Sequence, residues 1–257
     1  MSERERYPQG VPSWADLATS DLEGARAFYG RLFGWEWDIA GPEFMHYSQA
    51  LLRGKRVVGI GPRMDDTQPV AWTTYLAVDD ADKVVESIPA AGGTVLVPPT
   101  EIPGSGRMAI AADPTGAVFG MWEAAAHTGS ELVNEPGAVV WNELVSPDLA
   151  TAQAFYSAAL GVDWDEEEMA PGEKYGLLRV GGRTVGGATP AQIGGEGLPP
   201  HWGIYFEVAD ADATVATAQE LGAQVALPVT PTPQGPMATL IDPQGGAFSI
   251  IASGSDV

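Results

Sequence analysis

The chain writes one long phrase twice. SWADLATSDLEGARAFYGRLFGWEWD at residues 13–38 aligns without a gap with VWNELVSPDLATAQAFYSAALGVDWD at residues 140–165. Trp14 meets Trp141, Asp21 meets Asp148, Phe28 and Tyr29 meet Phe155 and Tyr156, Gly34 meets Gly161, and Trp37 meets Trp164. Self-similarity of this length marks a duplicated structural unit, and it constrains the fold more than any local propensity does.

Each copy reads the same way locally. Before the Asp, residues alternate as in a half-buried strand. Asp21 and Asp148 are placed to cap a helix, accepting backbone N–H bonds from its first turn. Apolar residues then recur at helical spacing: Leu22, Ala25, Phe28, Tyr29 and Leu32 in one copy, Leu149, Ala152, Phe155, Tyr156 and Ala159 in the other. Gly34 and Gly161 follow as helix stops. A second pairing joins WTTYLAVDDADKVVESIPAAGGTV (72–95) to WGIYFEVADADATVATAQELGAQV (202–225), again strand, acidic cap, helix and Gly stop. Near the ends, MAIAADPTGAVFGMW (108–122) matches MATLIDPQGGAFSII (237–251), two strands around a D-P-x-G turn. The expected division is a first domain at 1–126 with a short tail at 1–11, a polar linker at 127–137, and a second domain at 138–257.

Composition narrows the function. The formal net charge is −21, from 34 acidic against 13 basic residues. Such a field repels phosphate backbones and anionic lipid, so neither nucleic acid nor a membrane surface is an expected partner. There is no cysteine, which removes disulfides, thiolate nucleophiles and zinc–thiolate sites together. The opening MSERERYPQGVP lacks the apolar core of a secretory signal, and no apolar run is long enough to cross a membrane. A cytoplasmic location is the simplest expectation.

The D-L-x-x-A-x-x-F-Y helix, the strand ending V-D-D or V-A-D, and the D-P-x-G hairpin before the last strand resemble the vicinal-oxygen-chelate superfamily. That group contains glyoxalases, bleomycin-resistance proteins and extradiol dioxygenases. The likeness covers nearly the whole chain, and the strand openings W-A-D-L and W-N-E-L are similar to those of two-domain actinobacterial glyoxalase-like proteins. It implies an α+β fold of tandem glyoxalase-like domains, each of two βαβββ motifs curled into an open β-cup whose floor holds a ligand or metal. It also implies where metal ligands would stand: seven residues before the capping Asp, on the second capped strand, and in the last strand. Those positions hold Trp14 and Trp141, Thr73 and Gly203, and Gly120 and Ser249. Indole N–H only donates, and none of the six suits a divalent ion. His46, His127 and His201 are dispersed and form no evident cluster. The expectation is no metal and no other cofactor.

Strand side chains alternate faces. With Trp14 and Trp141 inward, Asp16 and Glu143 also face the cups, while Leu17 packs outward on the helix. The slots at Thr73 and Gly203 bring Tyr75 and Tyr205 inside, and Trp122 shares a face with Gly120. Asp16 and Glu143 are candidate general acids or bases, with Tyr75 and Tyr205 as hydrogen-bond donors beside them. Burial next to indole raises a carboxyl pKa toward the useful range. Trp14, Trp141, Thr73, Trp122 and Ser249 would line a pocket for a planar or largely apolar molecule. The same residues read equally as packing that fills a cup without a metal.

Other stretches read as connections. DWDEEEM (163–169) is expected as a solvated loop and GGRTVGG (181–187) as a link between strands. The Pro-rich VPPTEIPGSG (97–106) and LPVTPTPQG (227–235) are expected as rigid loops over the cup mouths. The expected function is a metal-independent enzyme doing isomerase, lyase or hydration-type acid/base chemistry on an aromatic or polyketide-like metabolite. The alternative is a resistance-type protein that sequesters such a metabolite without turning it over. The expected partner is a small, mostly apolar or aromatic molecule, and the chain is expected as a monomer or homodimer.

Overall fold

The computed structural model describes residues 3–170, 173–191 and 199–253. The first two residues of the expected tail and the last four of the expected second domain lie outside them. The first half runs β1 (Pro12–Thr19), α1 (Leu22–Phe33), β2 (Glu36–Ile39), β3 (Ser48–Leu52) and β4 (Lys55–Pro62). It continues with β5 (Ala71–Ala77), α2 (Ala81–Ser87), β6 (Thr94–Ile102), β7 (Gly106–Ala112) and β8 (Val118–Ala124). The second half repeats this as β9 (Val139–Ser146), α3 (Leu149–Leu160), β10 (Asp163–Ala170), β11 (Glu173–Val180) and β12 (Arg183–Pro190). β13 (His201–Glu207), α4 (Ala211–Glu220), β14 (Gln224–Thr232), β15 (Gly235–Ile241) and β16 (Ala247–Ile251) complete it.

Each half forms one eight-stranded sheet, in the order β2-β3-β4-β1-β5-β8-β7-β6 and β10-β11-β12-β9-β13-β16-β15-β14. The end strands of each sheet do not pair with one another, so each curls into an open cup rather than a closed barrel. β1 lies antiparallel to β5 and β9 to β13, and these central strands place the residues of the cup floor. The chain is a tandem pair of α+β units of the same topology.

Local chemistry sets the helices. The Asp21 carboxylate accepts from the Gly24 amide and the Asp148 carboxylate from the Thr151 amide, satisfying first-turn donors. Gly34 and Gly161 end α1 and α3 in the left-handed conformation, at φ 73° and 70°, where a Cβ would be strained.

The repeated Phe-Tyr pair joins the halves. α1 packs on the second sheet beside α4, burying Phe28, Tyr29 and Phe33 against Phe206 and Phe248. α3 packs reciprocally beside α2, burying Phe155 and Tyr156 against Phe119 and Ile88. Each such ring taken from water contributes about 1.5–3 kcal/mol. Tyr29 donates to Asp242 at 2.8 Å and accepts from the Trp72 indole at 3.2 Å. Tyr156 donates to Asp113 at 3.2 Å and accepts from Trp202 at 2.8 Å. Each Asp of a D-P-x-G turn thus takes a tyrosine from the opposite half. The helical faces of the two sheets meet in this way, and the concave faces are left for the cups.

Three expectations for connections need correction. DWDEEEM belongs to β10, an edge strand whose Glu166 and Asp165 pair with Lys174 and Arg179 of β11. Charge on an edge strand discourages pairing with another chain, so an acidic run is compatible with a strand there. Only Gly181 and Gly182 of GGRTVGG form a turn, and the rest is β12. The Pro-rich stretches lie mostly within β6 and β14. Both are edge strands with register shifts, between Val97 and Thr100 and between Leu227 and Thr230, where a missing N–H is tolerated.

Candidate active site

In both cups the alternation of β1 and β9 sends an indole and a carboxylate to the concave face. Trp14 lies opposite Tyr75, and Trp141 lies opposite Tyr205. A relay connects them. The Trp14 indole donates to Tyr47 Oη at 3.0 Å, and Tyr47 donates to Asp16 at 3.2 Å. Tyr75 is a second donor to Asp16. In the second cup the Trp141 indole donates to Tyr175 Oη at 3.0 Å, and Tyr175 donates to Glu143 Oε1 at 2.7 Å. Tyr205 donates to Glu143 Oε2 at 2.9 Å.

Sequence alternation missed Tyr47 and Tyr175. Tyr47 stands just before β3, outside any regular period, and its ring reaches across the sheet only because the floor beneath it is bare. A Cβ on Gly59 would sit 1.8 Å from Tyr47 Oη, and one on Gly187 would sit 1.9 Å from Tyr175 Oη. Gly59 and Gly187 are the cross-strand partners of Asp16 and Glu143. A gapped comparison of the halves would pair Tyr47 with Tyr175 and Gly59 with Gly187.

Burial dominates the electrostatics. It pushes the Asp16 carboxyl up from 3.8 to about 7, with the bonds from Tyr47 and Tyr75 pulling the other way. Burial also raises Glu143, opposed by Tyr175, Tyr205 and the charge of His201. Both carboxyls therefore hold protons at higher pH than exposed ones do, which is the setting for acid/base work.

The two cups diverge around this shared relay. In the first, Trp14, Tyr75 and Trp122 form a buried cluster with Ile102, Met108 and Ile110 against it. His127, from the segment between the halves, packs edge-on against Trp14 with ring centroids 4.4 Å apart, and against Trp122 at 5.3 Å. The Trp122 indole donates to the His127 carbonyl at 2.7 Å. Asp16 and Thr73 remain half-buried on the other side. In the second cup Trp141, Glu143, Tyr175 and Tyr205 are all half-buried, and among the described residues no aromatic ring packs on Trp141. Ser249 donates to Tyr205 and lies 2.9 Å from the Thr239 hydroxyl. Its counterpart in the first cup is Gly120, on which the Tyr75 ring lies so closely that a Cβ would meet Cδ1 at 2.2 Å.

The positions implied for metal ligands hold two indoles, a hydroxyl from Thr73 and one from Ser249, and two glycines. Such donors do not fit a divalent ion. Among the described residues, no group of three or more His, Asp or Glu side chains is placed to share one.

Comparison with known proteins places the chain. Residues 12–121 match the model of the glyoxalase/bleomycin resistance protein/dioxygenase superfamily, and residues 138–251 match that of the glyoxalase-like domain. A Mycobacterium tuberculosis protein provisionally named as a glyoxylase, CFP32, is 43% identical over 260 residues, covering 98% of each chain. The anthracycline biosynthesis protein DnrV of Streptomyces peucetius is 35% identical, over 96% of this chain and 94% of its own. Among solved structures, the 2,3-dioxygenase LapB of Pseudomonas sp. KL28 superposes with a TM-score of 0.66 at 17% identity, covering 95% of this chain and 93% of that one. The Mn(II)-bound glyoxalase of Novosphingobium aromaticivorans gives 0.63 at 18%, covering 96% and 83%. These two likenesses speak to the fold alone. On the duplicated motif, the paired cups and these relatives, the chain belongs to the glyoxalase/bleomycin resistance protein/dioxygenase superfamily.

Proposed function

We propose that the chain is a metal-independent enzyme of small-molecule metabolism and that the second cup is its working site. Its chemistry is proton transfer of the isomerase, lyase or hydration type on a planar aromatic or polyketide-like metabolite. Glu143 carries this reading: each carboxyl oxygen takes a tyrosine O–H, burial raises its pKa, and the rings around it stay half-buried. A carboxyl tuned upward keeps its proton to higher pH than an ordinary Glu does, which suits it to acid/base work. Half-exposed rings offer a flat ligand faces on which to stack. The relative named for anthracycline biosynthesis supports this ligand class, since anthracyclines are flat fused aromatics. The first cup, its indoles buried, is structural in this reading.

The test follows chelator-treated protein incubated with extract of its source organism, by liquid chromatography–mass spectrometry. The expected result is a metabolite replaced by a product, lost in Glu143→Gln and kept in Asp16→Asn. A metabolite held unchanged by wild type and both variants would make the chain a sequestering protein. Loss in Asp16→Asn alone would move the work to the first cup.

A further inference from the structure

We propose that His201 is a second catalytic residue of the second cup, taking a proton from a substrate carbon that lies over Gly203 while Glu143 faces the same substrate. This rests on the reading of Glu143 above and adds the base that it lacks. Strand alternation along β13 puts His201, Gly203 and Tyr205 on the concave face, and Gly203 stands directly opposite Glu143. His201 is therefore the diagonal neighbour of Glu143 on one face, within side-chain reach. The floor between them carries no side chain of its own, and the Gly203 position is bordered by ordinary van der Waals neighbours. A Cβ built on Gly203 would meet nothing nearer than the Glu143 carbonyl at 3.6 Å, with Tyr205 Cε2 at 3.9 Å and His201 Nε2 at 4.0 Å. At Gly187 a tyrosine occupies the space a Cβ would need, whereas at Gly203 the nearest described side-chain atoms, of Tyr205 and His201, stand at contact distance and leave room for a Cβ.

The ring of His201 is oriented for the task. Its Nδ1 lies 2.8 Å from the Pro199 carbonyl oxygen, which can only accept, so Nδ1 carries the hydrogen. In the neutral imidazole the lone pair is then on Nε2, the atom nearest the Gly203 position. Nε2 takes no hydrogen bond from the described residues. Among the titratable groups on this face are Glu143 (β9), Tyr175 (β11) and Tyr205 (β13), joined by hydrogen bonds. Both Glu143 oxygens accept from tyrosines, which fixes the carboxyl on this face, and a Glu143 that holds its proton can donate it to a ligand over Gly203.

A balanced step follows for a substrate with a C–H next to a carbonyl. His201 Nε2 takes the proton, the C–H electrons become the C=C bond of an enol, and neutral Glu143 gives its proton to the carbonyl oxygen. Return of the protons, to the same or a conjugated carbon, completes exchange or isomerisation without any oxidant or reductant. The first cup lacks the parts: Ala71 and Thr73 stand where His201 and Gly203 stand. That cup is the internal control.

The test uses the full chain in two arms. The first is labelling by diethyl pyrocarbonate, read by mass spectrometry of each histidine peptide, with and without saturating 1-tetralone, a bicyclic aromatic ketone. His201 is expected to label well ahead of buried His127 and to be protected by 1-tetralone, while His46 is labelled equally in both. The second arm is exchange of the 1-tetralone α-protons in D2O, read by proton NMR. His201→Asn is expected to lose roughly a hundredfold of the wild-type acceleration with its affinity for 1-tetralone, read by tryptophan fluorescence, held within about twofold of wild type. His46→Asn, at an exposed position outside both cups, is expected to lose none. If His201→Asn exchanges like wild type while Glu143→Gln does not, the role of His201 is overturned and that of Glu143 stands. If His201 labels no faster than His127, or stays unprotected while the ketone binds, the proposal falls on geometry alone. If wild type protects His201 yet accelerates nothing, both roles fall together.

Discussion

The first and second cups hold the same relay, indole to tyrosine to carboxylate, and differ in what surrounds it. In the first, His127 presses on both Trp14 and Trp122, and its three large rings are buried. In the second, Trp141 is free of ring contacts among the described residues, Ser249 replaces Gly120, and His201 replaces Ala71. The duplication thus preserved the relay, because Gly59 and Gly187 keep room for it. The neighbours decide whether its rings are packing or an accessible wall.

The largest expected effects lie in titration of the first cup. Folded Asp16 holds its proton more tightly than the unfolded chain, so its stabilisation is full below about pH 4 and is lost as pH rises through about 7. His127 behaves oppositely: burial, then the charge of Arg56, lowers it from 6.5 to about 4. Its stabilisation is full above about pH 6.5 and is lost as pH falls toward 4. The two slopes oppose each other in wild type. His127→Phe should expose a fall of at most about 4 kcal/mol between pH 4 and 7. Asp16→Asn should expose a rise of at most about 3 kcal/mol between pH 4 and 6.5. Urea unfolding across this window checks both, and unchanged slopes in both variants would show that the first cup is not the buried environment described.

Next in size is the glycine pair. Gly59→Ala drives a methyl into Tyr47 beneath a buried indole, and should cost about 3 kcal/mol from overpacking and a weakened bond to Asp16. Gly187→Ala should cost only about 1 kcal/mol, since Trp141 above Tyr175 is half-buried and can give way where buried Trp14 cannot, yet it should impair ligand binding in the second cup. Equal losses in urea would break the contrast between a filled and an accessible cup.

The smallest expected difference is across the interface, where the halves are alike. Tyr29→Phe and Tyr156→Phe each remove a hydroxyl that joins a buried Asp of the opposite half to a Trp. Each should cost about 2 kcal/mol, and the two costs should match within error. A clear inequality by urea unfolding would show that the apparent two-fold relation of the halves does not extend to their energetics.

Much of the scaffold was legible because it is written in short-range pattern. Asp21 and Asp148 announce caps, and counting by two along β1 and β9 puts Trp14, Asp16, Trp141 and Glu143 on the cup side. Tyr75 and Tyr205 follow by the same count. The acidic β10 and the proline-bearing β6 and β14 were illegible as strands because edge position, not composition, makes such residues tolerable there. His201 was within reach of the same alternation, two residues before Gly203, but its meaning depended on knowing that Gly203 lies opposite Glu143.

By itself the sequence determined the duplication, the α+β glyoxalase fold, and which strand positions face a cup, since periodicity fixes the face of each side chain locally. Only the tertiary structure decided how those faces are covered and paired. Tyr29 meets Asp242, His127 covers Trp14, and His201 comes to the face of Glu143 through contacts between residues far apart in the chain. Such contacts follow from how sheets curl and pack against each other, which no local spacing records.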